Sequence, residues 1–406
     1  MKILHILYQS LPQVSGSSIR SRDVLMSQKE IGLDVVAVTS TFQGSKNSNK
    51  NEFINGIKYI RTTKNKTTSI SDQKKSKFSQ LSRFFSLIPF ILKLYRIVSK
   101  EKPDILHAHA MFYCGIPAII IGKIKKIPVV YEFRSLWMFQ KKRGSKTKMD
   151  VFLEDLMLSI ETLTLKKADY AIFLNEGLKS YFTQRNIQFE MSAIINNAVN
   201  TTYINSLKKK HETKANNEAI VFGYIGTLTS YEGIEFLVEA FQELYENGIK
   251  NKLVIYGDGI NRGNIIKTIQ LKKDIKTIEY RGKIKPHEIA KAYAEIDVII
   301  NPRLSTNVTN SVTPLKPLEA FAYNKLFLGS SVLGITALVQ NEKTGIIFEA
   351  ENKESLKNQI QKILNYSALD KSKITDNASK FVLKEKSWKN NAIQYKKIYS
   401  TLIFAT

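Results

Sequence analysis

Lys316 occupies a position that asks for an anion. It lies in Thr313-Pro314-Leu315-Lys316-Pro317-Leu318-Glu319, which reads as the opening of a helix continuing to Tyr323. Thr313 is a favourable N-cap, and Pro314 suits the first helical position. Pro317 is tolerated there too, because the first N–H groups of a helix have no internal partner. A lysine in that turn opposes the helix dipole, at about 0.3–1 kcal/mol unless an anion lies beside it. The amides of Leu315 and Lys316, the dipole and the ammonium together suit a phosphate. Glu319 lies three residues on and shares the face of Lys316, where a carboxylate can accept bonds from ribose hydroxyls. The plainer alternative is a helix start whose lysine reaches into water.

Other residues could do related chemistry. Ser15-Gly16-Ser17-Ser18 follows the first apolar run and precedes a helix around Arg20–Leu33, so a ligand could approach the backbone there. His107-Ala108-His109 ends a strand. Alternation places both histidines on one face, with His109 nearer the carboxyl end, where open α/β sheets bind ligands. No third metal ligand is evident nearby, so no metal is expected. Arg134, after Glu132-Phe133, and Arg303, after Asn301-Pro302, end two further strands. Arg303 and Lys316 together could neutralise a departing diphosphate. For either arginine, a solvated loop-end charge is the alternative. Gly257-Asp258-Gly259 is a tight turn without the G-x-G-x-x-G pattern, and D-x-D does not occur.

These residues are positioned by short β-branched runs alternating with helical patterns, the signature of parallel α/β sheets. Strands are expected at Ile3–Tyr8, Val35–Thr39, Ile57–Arg61, Ile105–Ala108, Val129–Glu132, Ala171–Leu174 and Ala193–Asn196. A second series follows at Val221–Ile225, Leu253–Tyr256, Ile278–Arg281, Val298–Asn301, Leu326–Gly329 and Ile346–Phe348. At 406 residues the chain divides into two domains. These are 1–200, joined by a C-terminal helix over 387–406, and 219–386, with a polar linker at 201–218. The stretch 43–77, rich in Ser, Thr, Lys and Asn, reads as a mobile surface loop.

The net charge of +25 is concentrated. Residues 41–103 carry 14 basic against 3 acidic side chains, whereas 219–350 carry 15 against 14, so the excess belongs to the first half. A basic half suits a polyanionic surface, nucleic acid or anionic lipid. No aromatic-interleaved basic motif supports nucleic acid. One cysteine, Cys114, fits a reducing compartment. The first residues read as a strand, with neither a signal peptide nor a transmembrane segment expected.

Residues 78–98 carry two apolar rows at helical spacing. One is Phe78, Leu81, Phe85, Ile88, Leu92 and Tyr95; the other is Phe84, Leu87, Ile91, Leu94 and Val98. Basic residues flank both. One reading is a core helix kinked at Pro89. The other dips part of the stripe into an anionic membrane surface.

Taken in order, these motifs resemble family 4 glycosyltransferases of the GT-B architecture. The likeness is carried by the Ser15 to Arg20 turn, His107-Ala108-His109, Asn197-Ala198-Val199-Asn200, Tyr224 to Leu228, Tyr231-Glu232-Gly233-Ile234, Tyr256 to Gly259, Arg281-Gly282 and Thr313 to Glu319. Tyr131 to Arg134 and Pro-Leu-Lys-Pro-Leu-Glu look like a subgroup that builds bacterial surface polysaccharides. The resemblance implies two facing Rossmann-like domains with parallel sheets, a cleft between them, and a C-terminal helix crossing back to the first. It implies a retaining, metal-independent transfer from a UDP- or GDP-linked sugar to a saccharide or lipid-linked acceptor, without a cofactor or nucleic acid. The enzyme would be cytoplasmic, held peripherally on the inner membrane face by its basic first domain. His109, Arg303 and Lys316 would serve the reaction. Gly16, Ser17, Arg134, Gly226, Thr227, Arg281, Asn310, Ser311, Thr313, Leu315 and Glu319 would bind the donor. Three positions depart from the family. Ser311 replaces the first glutamate of its paired-Glu motif, Thr227 and Glu232 replace an Arg and a Lys, and Ser17 replaces a glycine. A catalytically silent subunit binding a nucleotide sugar or a partner protein is the alternative.

Overall fold

A computed structural model describes residues 1–13, 15–43, 51–63, 86–139, 147–200, 204, 220–272, 274–285 and 288–404. The chain forms two compact units, Met1–Asn197 with Trp388–Thr406, and Ala198–Ser387.

The first unit is built on eight strands: β1 (Lys2–Leu7), β2 (Asp34–Thr39), β3 (Asn51–Ile54), β4 (Ile57–Arg61), β5 (Ile105–His109), β6 (Val129–Phe133), β7 (Tyr170–Phe173) and β8 (Ser192–Ile194). Their order is β3-β4-β2-β1-β5-β6-β7-β8. All pairings are parallel except β3 with β4. The interior strands are buried on both sides and read as continuous apolar runs, as parallel strands between helical layers must. Its helices are α1 (Gly16–Glu30), α2 (Leu87–Glu101), α3 (Phe112–Lys125), α4 (Lys148–Lys167) and α5 (Glu176–Thr183). The C-terminal helix Trp388–Phe404 packs on α1. The chain leaves β1 for β2 on one side and returns to β5 on the other. That makes the carboxyl ends of β1 and β5 the switch point where such sheets bind ligands.

The second unit carries β9 (Val221–Thr227), β10 (Lys252–Asp258), β11 (Ile278–Gly282), β12 (Val298–Asn301), β13 (Leu326–Ser330) and β14 (Ile346–Phe348). Their order is β11-β10-β9-β12-β13-β14, all parallel, with the switch point at β9 and β12. Helices α6 (Ile234–Glu246), α7 (Arg262–Gln270), α8 (Ile289–Glu295), α9 (Asn307–Ser311), α10 (Lys316–Ala322), α11 (Leu333–Thr336), α12 (Lys353–Leu364) and α13 (Ala368–Glu385) surround it. Apolar clusters built on Phe222, Leu237 and Ile300, and on Val254, Phe321 and Phe327, cover the sheet.

Every expected strand forms, and β3 was not expected. It is an antiparallel edge strand inside the stretch read as a loop, and its alternating exposure carries little apolar signal. Helix α1 begins at Gly16, four residues before the expected helix, because Ser15 and Ser18 form a capping box. The Pro89 kink does not occur. Pro89 is the third residue of α2, where its missing N–H costs nothing. Residues 64–85, with Phe78, Leu81, Phe84 and Phe85, lie outside the described residues, as does nearly all of the predicted linker. Ile204 is buried in the second unit's core. No helix among the described residues is long and apolar enough to cross a membrane.

Candidate functional site

In the second unit, helix α10 starts at Lys316, with Leu315 as its N-cap and no side-chain cap. Thr313 is therefore not the N-cap, and the first i→i−4 bond runs from Glu319 N to Leu315 O at 2.9 Å. Lys316 does have an anion beside it, and that anion belongs to the protein. Its Nζ lies 3.0 Å from Glu232 Oε2. Arg303 closes on the other oxygen, with Nη2 at 2.8 Å and Nε at 3.2 Å from Glu232 Oε1.

Glu232 arrives on a short 3-10 turn, Ser230–Glu232, capped by Gly233 at φ 71°. A Cβ at Gly233 would strike the Pro302 carbonyl, so the turn can lie against the end of β12 only with glycine there. Leu304 N bonds Tyr231 O at 3.0 Å, fastening the two loops together. Gly226 performs the matching service for Lys316, since a Cβ there would collide with the lysine stem. The ammonium also sits 5.0 Å from the Tyr224 ring centre, and the Tyr224 hydroxyl donates to Glu232 Oε2 at 3.2 Å. Burial pushes the Glu232 carboxyl up, but Arg303 and Lys316 outweigh it and hold it at about 2. Burial, and secondarily Arg303, lowers the Lys316 ammonium although Glu232 supports its charge.

Around this cluster, Glu319 Oε2 accepts from the Tyr293 hydroxyl at 3.1 Å, one turn along α10 from Lys316. Arg303 Nη1 donates to Val312 O at 3.2 Å, next to buried Thr313. Asn310 Oδ1 accepts from Leu333 N at the start of α11 at 3.0 Å, while Ser311 donates back to the Asn307 carbonyl. Thr227, at the end of β9, is exposed and its carbonyl accepts from the Tyr224 hydroxyl. Arg281 lies on the edge strand β11, paired with Glu279 through Nε at 2.6 Å. The sequence identified the two cations but not the carboxylate that joins them, which stood out only as a replaced lysine.

In the first unit, Gly16 and Ser17 are exposed at the start of α1, and a Cβ on Gly16 would meet no atom within 4 Å. Packing therefore does not require glycine there, and the turn stays open to a ligand. Arg134 Nη1 donates to Ser17 O at 3.2 Å and to Ser21 Oγ at 2.8 Å, bracing this helix start.

His109 sits in a buried hydrogen-bonded circuit, and the sequence did not reveal its third histidine, His5. The signal was available, because β1 and β5 pair with His5 opposite His107. The circuit admits one consistent set of protons. Arg134 Nη2 donates to His109 Nδ1 at 2.5 Å, so His109 carries its proton on Nε2 and donates to His5 Nδ1 at 2.7 Å. His5 Nε2 then donates to Gln28 Oε1 at 3.0 Å, and Gln28 Nε2 to the Tyr399 hydroxyl at 2.9 Å. Tyr399 donates to His107 Nδ1 at 2.7 Å, which puts the His107 proton on Nε2, 3.5 Å from Glu132 Oε2 and without a hydrogen-bond partner. Glu132 accepts from Arg134 Nε at 2.7 Å, from Arg20 Nε at 3.0 Å and from Tyr395 at 2.5 Å.

The three histidines bring ligand atoms within 4.8 Å of one another, a spacing a metal could use. Five of their six nitrogens, however, already serve the circuit, and two guanidiniums stand beside them. Burial, then the neighbouring His107 and the Arg134 charge, holds His109 well below its usual range; burial and His107 do the same for His5, and burial lowers His107. Burial pushes Glu132 up, but Arg20 and Arg134 bring it well below the carboxylate range.

This sets an acid limit on the first unit. Below about pH 6.5 the unfolded histidines take up protons that the folded ones refuse, so stability falls as pH falls. Glu161 works in the opposite sense. Buried among Tyr131, Trp137 and the Phe112 amide, it is raised to about 7, so its contribution is present at low pH and lost as pH rises. Between roughly pH 4.5 and 6.5 three groups that favour higher pH oppose one that favours lower pH, so the first unit loses stability as pH falls. Thermal midpoints should therefore fall steadily from pH 7 to 5; a flat profile would refute neutral histidines in the fold.

Within α2 the two apolar rows differ in exposure. Leu94 and Val98 are buried, while Ile88, Leu92 and Tyr95 are exposed. Helix α2 packs on α3 and α3 on α4, and both neighbours add exposed apolar side chains: Ile120 and Ile124, then Phe152, Leu156 and Leu163. Lys125 lies over the Tyr95 ring at 4.2 Å.

Known proteins share this architecture. Residues 205–381 match the family described as Glycosyl transferases group 1, and residues 32–203 match Glycosyltransferase Family 4. The chain is 25% identical over 293 residues to alpha-monoglucosyldiacylglycerol synthase of Acholeplasma laidlawii, covering 68% of this chain and 70% of that protein. It is 26% identical over 293 residues to UDP-Gal:alpha-D-GlcNAc-diphosphoundecaprenol alpha-1,3-galactosyltransferase of Escherichia coli, covering 69% and 71%. Sucrose-phosphate synthase from Thermosynechococcus elongatus shares the fold with a TM-score of 0.78 at 18% identity, over 100% of both chains.

Proposed function

The chain belongs to the family 4 glycosyltransferases, with the GT-B fold and a nucleotide-sugar donor, and from that premise we propose a retaining, metal-independent transferase acting on a lipid-linked saccharide. The observation that carries the donor site is the convergence of two cations, buried Arg303 and partly buried Lys316, at the second sheet's switch point. In this reading Glu319, one turn beyond Lys316, takes the ribose hydroxyls. In the transfer the bond from the anomeric carbon to the diphosphate breaks, and a bond to an acceptor hydroxyl forms. Negative charge gathers on the departing diphosphate, where fixed cations lower the barrier most. UDP is the favoured diphosphate, in keeping with the donor named for the Escherichia coli relative. In the first unit, His109 acts through the circuit that fixes its ring, and the Gly16–Ser17 turn offers backbone to a ligand.

The acceptor is membrane-borne in this reading. The exposed rows of α2, α3 and α4, with the basic excess of the first half, suit the anionic inner face of a cell membrane. One assay tests the whole: UDP-hexoses, EDTA, and a polyprenyl-diphosphate sugar in anionic vesicles, with the product's anomeric configuration read by NMR. Retained configuration in EDTA, with protein sedimenting on anionic but not zwitterionic vesicles, is expected. An inverted product, dependence on added metal, or indifference to vesicle charge would each remove the corresponding part.

A further inference from the structure

Glu232 stands where the family resemblance expects a lysine, between Arg303 and Lys316, the two cations that the resemblance assigns to the reaction. The usual cations of the loop after β9 are replaced by Thr227 and Glu232, while Arg303 and Lys316 arrive from the end of β12 and the start of α10. Glu232 spans the cations with separate oxygens, Oε1 to Arg303 and Oε2 to Lys316, and the Tyr224 hydroxyl also donates to it. A solvated salt bridge needs none of this support. Here a left-handed glycine delivers the carboxylate, a second glycine makes room for the lysine, and a tyrosine holds the second oxygen.

We infer that Glu232 is a positioning residue for donor turnover: it holds Arg303 and Lys316 at the spacing of a diphosphate and tempers their attraction for the product. This rests on the donor-site reading above. A carboxylate bridging two cations fixes their separation, so little reorganisation is left when phosphate oxygens approach. The same negative charge repels the diphosphate, weakening substrate and product alike and most of all the more highly charged free nucleoside diphosphate. Glu232 is ionised throughout the neutral range, so both effects persist there.

The test is Glu232→Gln, which keeps the shape and removes the charge. Two results are expected together. The nucleotide-free thermal midpoint falls, because Arg303 and Lys316 lose their counter-charge, while UDP binds about fivefold or more tightly and with a steeper salt dependence. kcat falls, with product release slowed. A residue that only held the fold would lower the midpoint without tightening UDP. Glu232→Asp keeps the charge but draws the carboxylate back by one methylene, so kcat should fall while the donor KM stays near wild type. It carries the test alone if Glu232→Gln does not fold. Wild-type kcat and KM in Glu232→Asp, or unchanged or weaker UDP binding in folded Glu232→Gln, would overturn the inference. If the wild-type protein binds no nucleoside diphosphate, the donor-site reading falls first; if it binds UDP and only the Glu232 variants disagree, this inference falls alone.

Discussion

Lys316→Ala should lower kcat/KM about 100- to 1,000-fold, the usual cost of removing one group that stabilises developing charge in a dry site. The loss should appear in kcat at least as strongly as in KM, because the diphosphate carries more charge when leaving than when bound as a donor. Lys316→Arg should not restore activity. The lysine stem runs past Gly226 with no spare room and its ammonium sits at the Tyr224 face, so a planar, forked guanidinium cannot reach the same point. Steady-state kinetics on both variants decides the matter. Wild-type kcat in Lys316→Arg would reduce the site to net charge, and wild-type kcat in Lys316→Ala would remove Lys316 from the reaction.

Glu132→Gln should have the largest effect on stability. Arg20 and Arg134, both buried, share Glu132 Oε1, and Tyr395 donates to Oε2. Removing one partner of such a cluster costs about 3–5 kcal/mol, since the remaining charges stay out of water. For a unit of this size that is on the order of 10 °C in thermal midpoint. The effect should spread beyond the pair, because Arg134 also fixes the His109 tautomer and Arg20 reaches Ile195 O at 2.9 Å. Tyr395→Phe should cost less, and should cost nothing further in a Glu132→Gln background, because its hydroxyl has that carboxylate as partner. A double-mutant cycle followed by circular dichroism measures this. Additive losses, or a Glu132→Gln midpoint within about 2 °C of wild type, would show that the circuit is not a unit.

The strand framework was legible because parallel strands under helices are near-continuous apolar runs, such as Ile3 to Leu7 and Val298 to Ile300. Strand ends then pointed to His109, Arg134 and Arg303, since ligand sites gather at the carboxyl edge of such sheets. What stayed hidden was partnership over distance. Glu232 meets Arg303 and Lys316 across 71 and 84 positions, and Tyr399 meets His107 across 292. No local pattern marks such pairs. His5 looked like an ordinary strand residue until β1–β5 register placed it opposite His107. Tyr395 and Tyr399 lie in the terminal helix, whose helical pattern says nothing of their hydroxyls. Thr313 was misplaced as N-cap because sequence preference suggested a cap that the observed turn at Leu315 does not use.

The central claim is that Arg303, Lys316 and Glu319 receive a nucleoside diphosphate. Calorimetric titration of the wild-type protein with UDP, GDP and ADP in EDTA tests it most directly. Saturable one-to-one binding of UDP, weakened by Lys316→Ala and by Glu319→Gln, is the predicted result. No heat with any of the three nucleotides, or binding untouched by both substitutions, would contradict the account.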